Sequence, residues 1–140
     1  MITRRNRRFA TGLALLLMTM MATMAPTVAA PPLEPRKSNA AGVQVVVTPK
    51  PIDQAATSWE FEVVMDTHTK PLSDDLVRAS ELIADGRSYA PLGWQGDKPG
   101  GHHRKGILQF PRPAVSPKVV EVRINGIGGA GTRTFRWDLK

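Results

Sequence analysis

Three histidines and two aspartates are the residues best suited to chemistry in this chain. His68 stands in Asp66-Thr67-His68, and His102 and His103 follow Gly100-Gly101. Neutral imidazoles bind copper, zinc or nickel, and a nearby carboxylate completes the shell or fixes a ring tautomer. If the end of the strand carrying Asp66 meets the loop carrying His102 and His103 at one rim, then His68, His102, His103 and Asp66, with Asp97 in reach, form a candidate copper or zinc site. Adjacent side chains on an extended segment point to opposite sides. Both His102 and His103 therefore reach one ion only if Gly100-Gly101 bends the chain. The competing reading is structural. One imidazole then bonds a backbone carbonyl or Asp66, and the other sits in solvent.

These residues lie in or beside a long glycine-rich stretch, Tyr89 to Gly106, expected to be a loop. It also holds an isolated Trp94, and Arg104 follows the histidines. Aromatic and arginine side chains anchor protein interfaces. Trp94 and Arg104 are therefore candidate partner-binding residues, and an envelope protein is the candidate partner. Enzymatic signals are thin. No Gly-x-Ser-x-Gly frames Ser73 or Ser88, and no phosphate-binding glycine loop opens a helix. Asp74-Asp75 is explained by a helix start. The expectation is a non-enzymatic protein.

The elements that position these groups alternate as β-strands. Val43 to Thr48 is rich in β-branched residues and stops at Pro49. Trp59, Phe61, Val63 and Met65 alternate with polar neighbours. Glu81-Leu82-Ile83-Ala84 and Arg87-Ser88-Tyr89 flank the hairpin dipeptide Asp85-Gly86. Ile107 to Phe110, Lys118 to Ile124 and Thr132 to Leu139 complete the set, and one helical turn is expected over Ser73 to Ser80. About seven short strands with at most one helical turn predict an all-β fold, two antiparallel sheets packed face to face. Trp59, Phe61, Phe110, Phe135 and Trp137 are the expected core aromatics.

The N-terminus carries an address. Arg4, Arg5, Arg7 and Arg8 precede an uncharged apolar run of about 16 residues, shorter than the roughly 20 that span a bilayer. Small residues follow. This order is that of a secretory signal over residues 1–29, cut after Ala29. The arginine pair lacks the apolar residue expected of a twin-arginine signal. The predicted destination is periplasmic or secreted, with no stable membrane insertion after cleavage. Residues 30–42, with three prolines and one large apolar side chain, are expected to be a disordered linker. The β-sandwich domain is expected over residues 43–140.

Removing the signal changes the electrostatics. The chain has 19 basic and 12 acidic residues, net +7. Four arginines and no acids leave with the signal, so the remainder holds 19 − 4 = 15 basic against 12 acidic residues, net +3. That balance gives no footprint for nucleic acid. The absence of cysteine excludes a disulfide framework, so the core alone must hold the fold.

Trp59 to His68, Asp75-Leu76, Trp94 through Phe110 and Arg133 to Leu139 together resemble a group of small exported bacterial proteins known as uncharacterised immunoglobulin-like domains. The Asp-Thr-His and Gly-Gly-His-His blocks are the most specific parts of that resemblance. It implies an immunoglobulin-like sandwich in a bacterial envelope and brings no activity with it.

The export reading makes a direct prediction. Intact-mass measurement of the protein recovered outside the cytoplasm should give a polypeptide starting at Ala30. Recovery of the full-length polypeptide in the membrane fraction would contradict it.

Overall fold

The computed structural model describes residues 31–139. The expected signal, residues 1–29, lies outside the described residues. Among the described residues, nine strands form two antiparallel sheets. The strands are β1 (Arg36–Ala40), β2 (Val43–Pro49), β3 (Ser58–Thr67), β4 (Ser80–Ala84), β5 (Arg87–Tyr89), β6 (Gly93–Gly96), β7 (His103–Pro111), β8 (Val119–Ile124) and β9 (Arg133–Asp138). A four-residue helix, α1 (Leu76–Ala79), and one 3-10 turn at Ile127–Gly129 complete the elements. Asp75 caps α1, accepting from the amides of Val77 and Arg78.

One sheet has the order β1-β2-β3-β7-β6 and the other β5-β4-β8-β9. The segments β2-β3-β7-β6 and β5-β4-β8-β9 reproduce the A-B-E-D and C′-C-F-G orders of the immunoglobulin sandwich. β1 is an added hairpin strand. The all-β, immunoglobulin-like expectation therefore holds. Among the described residues no helix is long and apolar enough to cross a membrane.

Strand alternation dictates the core. Val43, Val45 and Val47 face inward from β2, and Trp59, Phe61, Val63 and Met65 from β3. Leu108 and Phe110 on β7 oppose Val120, Val122, Ile124, Phe135 and Trp137 from the second sheet. All five expected core aromatics are buried. Phe61 packs edge-on against Phe110 at 5.7 Å. Across the sheets it lies tilted against Trp137 at 5.8 Å, so an aromatic contact takes the place of a disulfide between the two layers. Each of these core indoles finds a carbonyl for its N–H: Trp59 donates to Asp53 and Trp137 to Glu34.

Two expectations are corrected. The linker over residues 30–42 contains a strand. Arg-Lys-Ser-Asn-Ala has little intrinsic β preference, and β1 forms because its backbone pairs with β2 from Arg36↔Val47 to Ala40↔Val43. The Arg36 side chain also donates to the Arg136 carbonyl on β9, tying β1 across the sandwich corner. The stretch Tyr89 to Gly106 is likewise not a single loop. Gly93–Gly96 is strand β6, paired with β7. A Cβ at Gly106 would lie 2.5 Å from the Trp94 ring and 2.7 Å from Gly96 Cα, so these glycines permit a close approach that other residues would block.

Two hairpins use the same two-residue turn with both residues at positive φ, the geometry of type I′. Asp85-Gly86 (φ 45° and 84°) is well suited to it. Ala41-Gly42 (φ 47° and 74°) places an alanine where a left-handed conformation is strained. Ala41→Asn should therefore raise the unfolding free energy by about 1 kcal/mol, read from the urea midpoint at unchanged slope. A lower midpoint would contradict the strain argument.

Candidate functional site: a three-loop rim

The strands bring four connections to one end of the sandwich: the Ala41-Gly42 turn and three longer loops, residues 68–79, 97–102 and 125–132. This rim holds His68, His102 and His103. Of the seven glycines at positive φ among the described residues, six are here: Gly42, Gly100, Gly101, Gly126, Gly128 and Gly129.

The loops are joined through backbone. The Thr67 amide donates to the His102 carbonyl at 2.9 Å. Leu72 and Gly100–Gly101 exchange two bonds, Leu72 N–H to Gly101 and Gly100 N–H to Leu72, both 2.9 Å. Lys70 Nζ donates to the Gly128 carbonyl at 2.7 Å, which ties in the third loop. The expected meeting of the Asp66–His68 strand end with the His102-His103 segment is therefore present.

The side chains assemble only in part. Asp66 and His103 are directly opposed in the β3–β7 register, and His103 Nδ1 lies 2.6 Å from Asp66 Oδ1. An ionised carboxylate only accepts, so Nδ1 carries the proton and Nε2 is left at the surface. Asp66 also faces a shallow groove of about 580 Å³, lined by Asn39, Gln44, Thr67 and His68 among others. His102 is exposed and engages Thr67 through its backbone alone.

Among the described residues no group of three or more His, Cys, Asp or Glu side chains is placed to hold a metal ion. The expected four-residue shell of His68, His102, His103 and Asp66 reduces to the His103–Asp66 pair. The physical reason is the use made of the glycine bend. Gly100 (φ 118°) and Gly101 (φ 68°) turn the backbone to bond Leu72, and this does not swing His102 round beside His103. The arrangement matches the structural alternative, one imidazole on Asp66 and the other in solvent.

The expected partner-binding role of Arg104 is corrected too. Arg104 is 2 % exposed and points inward from β7. Its guanidinium donates to three loop carbonyls: Nη1 to Asp74 at 2.6 Å and Leu72 at 3.4 Å, and Nε to Asp97 at 3.2 Å. It also stacks 5.2 Å from the Trp94 ring centroid. Burial lowers its pKa, and the carboxylates of Asp74, Asp75 and Asp97 oppose that shift. Trp94 itself is half-buried against the core, and its indole N–H donates to the Asp97 carbonyl at 3.0 Å. Arg104 is therefore buried rather than presented to a partner, and Trp94 is held in one orientation.

A second buried arginine, which sequence reading missed, also gathers carbonyls through its terminal nitrogens, while its Nε is buried without a partner among the described residues. Arg133 is 4 % exposed. Its two terminal nitrogens donate to the carbonyls of Val43, Ala40, Ser38 and Ile127, at 2.9 to 3.3 Å. The signal was present in the alternation. Arg133 is in phase with Phe135 and Trp137, and Arg104 with Leu108 and Phe110, all inward residues.

The outer face of the first sheet carries a separate ion network. Glu62 lies 3.2 Å from Lys105 and 3.6 Å from Lys50. The Lys105 hydrogen bond is the largest cause of a lowered Glu62 pKa. A depressed carboxylate stabilises the fold above its unfolded pKa, and that contribution is lost as pH falls through the folded value, so it disappears only in acid.

Substitution separates the buried role of Arg104 from a surface one. Arg104→Ala strips the Asp74 carbonyl of its donor, removes one of two donors from the Leu72 and Asp97 carbonyls, and should cost about 3 kcal/mol or more. Arg104→Lys should recover little of this, because an ammonium cannot copy the planar fork. Denaturant unfolding checks both, and a loss below about 0.5 kcal/mol, the range of ordinary surface changes, would contradict the clamp.

No family model matches the sequence, and no curated protein matches it. Among solved structures, a secreted protein from Mycobacterium tuberculosis, MPT63, is similar at 16 % sequence identity and a TM-score of 0.45, over 75 % of this protein and 92 % of that one.

Proposed function

We propose that this protein is an exported, non-enzymatic binding module that recognises a partner in the bacterial envelope or outside the cell through the three-loop rim. The observation that carries this reading is the backbone lock between residues 67–74 and 97–102, fastened from beneath by Arg104. A loop surface fixed before contact loses little entropy on binding, which is how sandwich domains present recognition loops. His68 and His102 are exposed on that surface, and His103 is held in one orientation by Asp66. The N-terminal signal pattern supports export. The non-enzymatic reading rests on the want of a framed nucleophile. Thr67, the hydroxyl next to Asp66, donates to the Gly42 carbonyl at 3.0 Å.

The experiment is site-specific photocrosslinking in the exporting cell. A crosslinker at His102 or Ala130 on the rim is compared with one at Ala114 on the connection after β7, at the opposite end. The reading expects a discrete adduct from the rim positions alone. Adducts from Ala114 alone, or none from any position, would overturn it.

One observation supports a second reading, a weak copper or zinc site at His103. A carboxylate bonded to Nδ1 is how metal-ligating imidazoles are commonly oriented, with Nε2 left for the ion. Calorimetric titration with Cu(II) and Zn(II) tests it. The metal reading expects heat that His103→Ala abolishes. Equal heats from the wild type and His103→Ala would exclude it.

A further inference from the structure

We propose that Asn125 is a site of spontaneous deamidation, a chemical modification that slowly places a negative charge on the recognition rim. Asn125 is exposed immediately after β8 and precedes Gly126 in the 125–132 loop. Gly126 has φ 75° and carries no Cβ to crowd its peptide nitrogen, and the space where a Cβ would lie is open. The Asn125 amide oxygen accepts from Thr132 Oγ1 at 2.5 Å, which draws electron density from Cγ. Its amide nitrogen, the leaving group, is held only by a long contact of 3.4 Å to the Ala79 carbonyl.

The chemistry balances without any co-reactant but water. The Gly126 backbone nitrogen attacks Asn125 Cγ and loses its proton as a new C–N bond closes a five-membered succinimide. The bond between Cγ and the amide nitrogen Nδ2 breaks, and ammonia leaves. Water then opens either carbonyl of the ring, giving aspartate or, with the backbone rerouted through Cγ, isoaspartate. Either product replaces a donor to the Ala79 carbonyl with a carboxylate that repels it. Isoaspartate also inserts a methylene between β8 and the loop.

The other Gly-preceding turn is an internal comparison. Asp85 has no amide to expel, and both its carboxylate oxygens accept from the Lys118 amide while one also takes Val119 N–H, at 3.0 to 3.1 Å. Asn39 is the other asparagine among the described residues, and it is paired with Gln44 within the β1–β2 ladder. Reaction is therefore concentrated at Asn125.

The test is ageing of the purified mature protein in mildly alkaline buffer, followed by peptide mapping and an isoaspartate-specific methylation assay. The expected result is a gain of one mass unit at residue 125, with isoaspartate there, at a rate clearly above that at Asn39, whose successor Ala40 carries a Cβ. Asn125→Gln, whose longer side chain disfavours the ring, should remain unmodified at that position while Asn39 ages as before. Asn125→Asp should keep the sandwich and shift amide resonances only around Ala79 and residues 125–132. An unmodified Asn125 after Asn39 has begun to convert would overturn the proposal, as would equal rates at the two positions.

Discussion

A guanidinium buried among carbonyl oxygens sets the architecture of the functional end of this molecule. Arg104 enters from β7 on the inward phase and finds no carboxylate in hydrogen-bond contact, only the carbonyls of Leu72, Asp74 and Asp97. Removing an ion from water costs several kcal/mol, and the bonds made by Nε and Nη1 offset that cost. Charge-assisted bonds of roughly 1.5–3 kcal/mol each supply that match. The clamp therefore joins the two irregular loops from beneath, at the same place where the interloop backbone bonds join them. Arg133 repeats the device on the second sheet. It gathers carbonyls from the β1–β2 hairpin and from Ile127, and it explains why β1 docks at all.

Most of the fold is legible in the sequence because strand alternation reports burial directly. The β4–β5 hairpin is legible to the residue, since Asp85-Gly86 selects both the turn and its register. Two strands are not legible, for different reasons. β1 has no buried side chain of its own and exists through pairing and the Arg133 contacts. β6 reads as loop because two of its four residues are glycines, of which Gly96 is needed for close packing against Gly106. The arginines mislead because a charge is ordinarily a surface residue. Their phase with Phe110 and Phe135 outweighs that prior.

The candidate site was legible in its ingredients and not in its geometry. Residue types mark Asp66 and His103 as possible ligands, but only the β3–β7 register places them opposite each other. His68 lies one residue past the end of β3, and His102 one residue before β7, where no ladder dictates side-chain direction. A metal shell needs direction as well as proximity. Recognition by a loop surface needs a fixed backbone with exposed side chains, and that is what the rim provides. Glycines at positive φ let the backbone fold tightly on itself, while the histidines remain outside the clamp.

The most direct test of this account is residue-resolved hydrogen exchange on Arg104→Lys beside the wild type. Loss of the planar fork should accelerate exchange at the amides of Thr67, Leu72 and Gly100, with those of β8 and β9 unchanged. Unchanged protection at Thr67, Leu72 and Gly100 would contradict the claim that Arg104 holds the rim together. So would uniform acceleration across both sheets, which would make Arg104 an ordinary core residue.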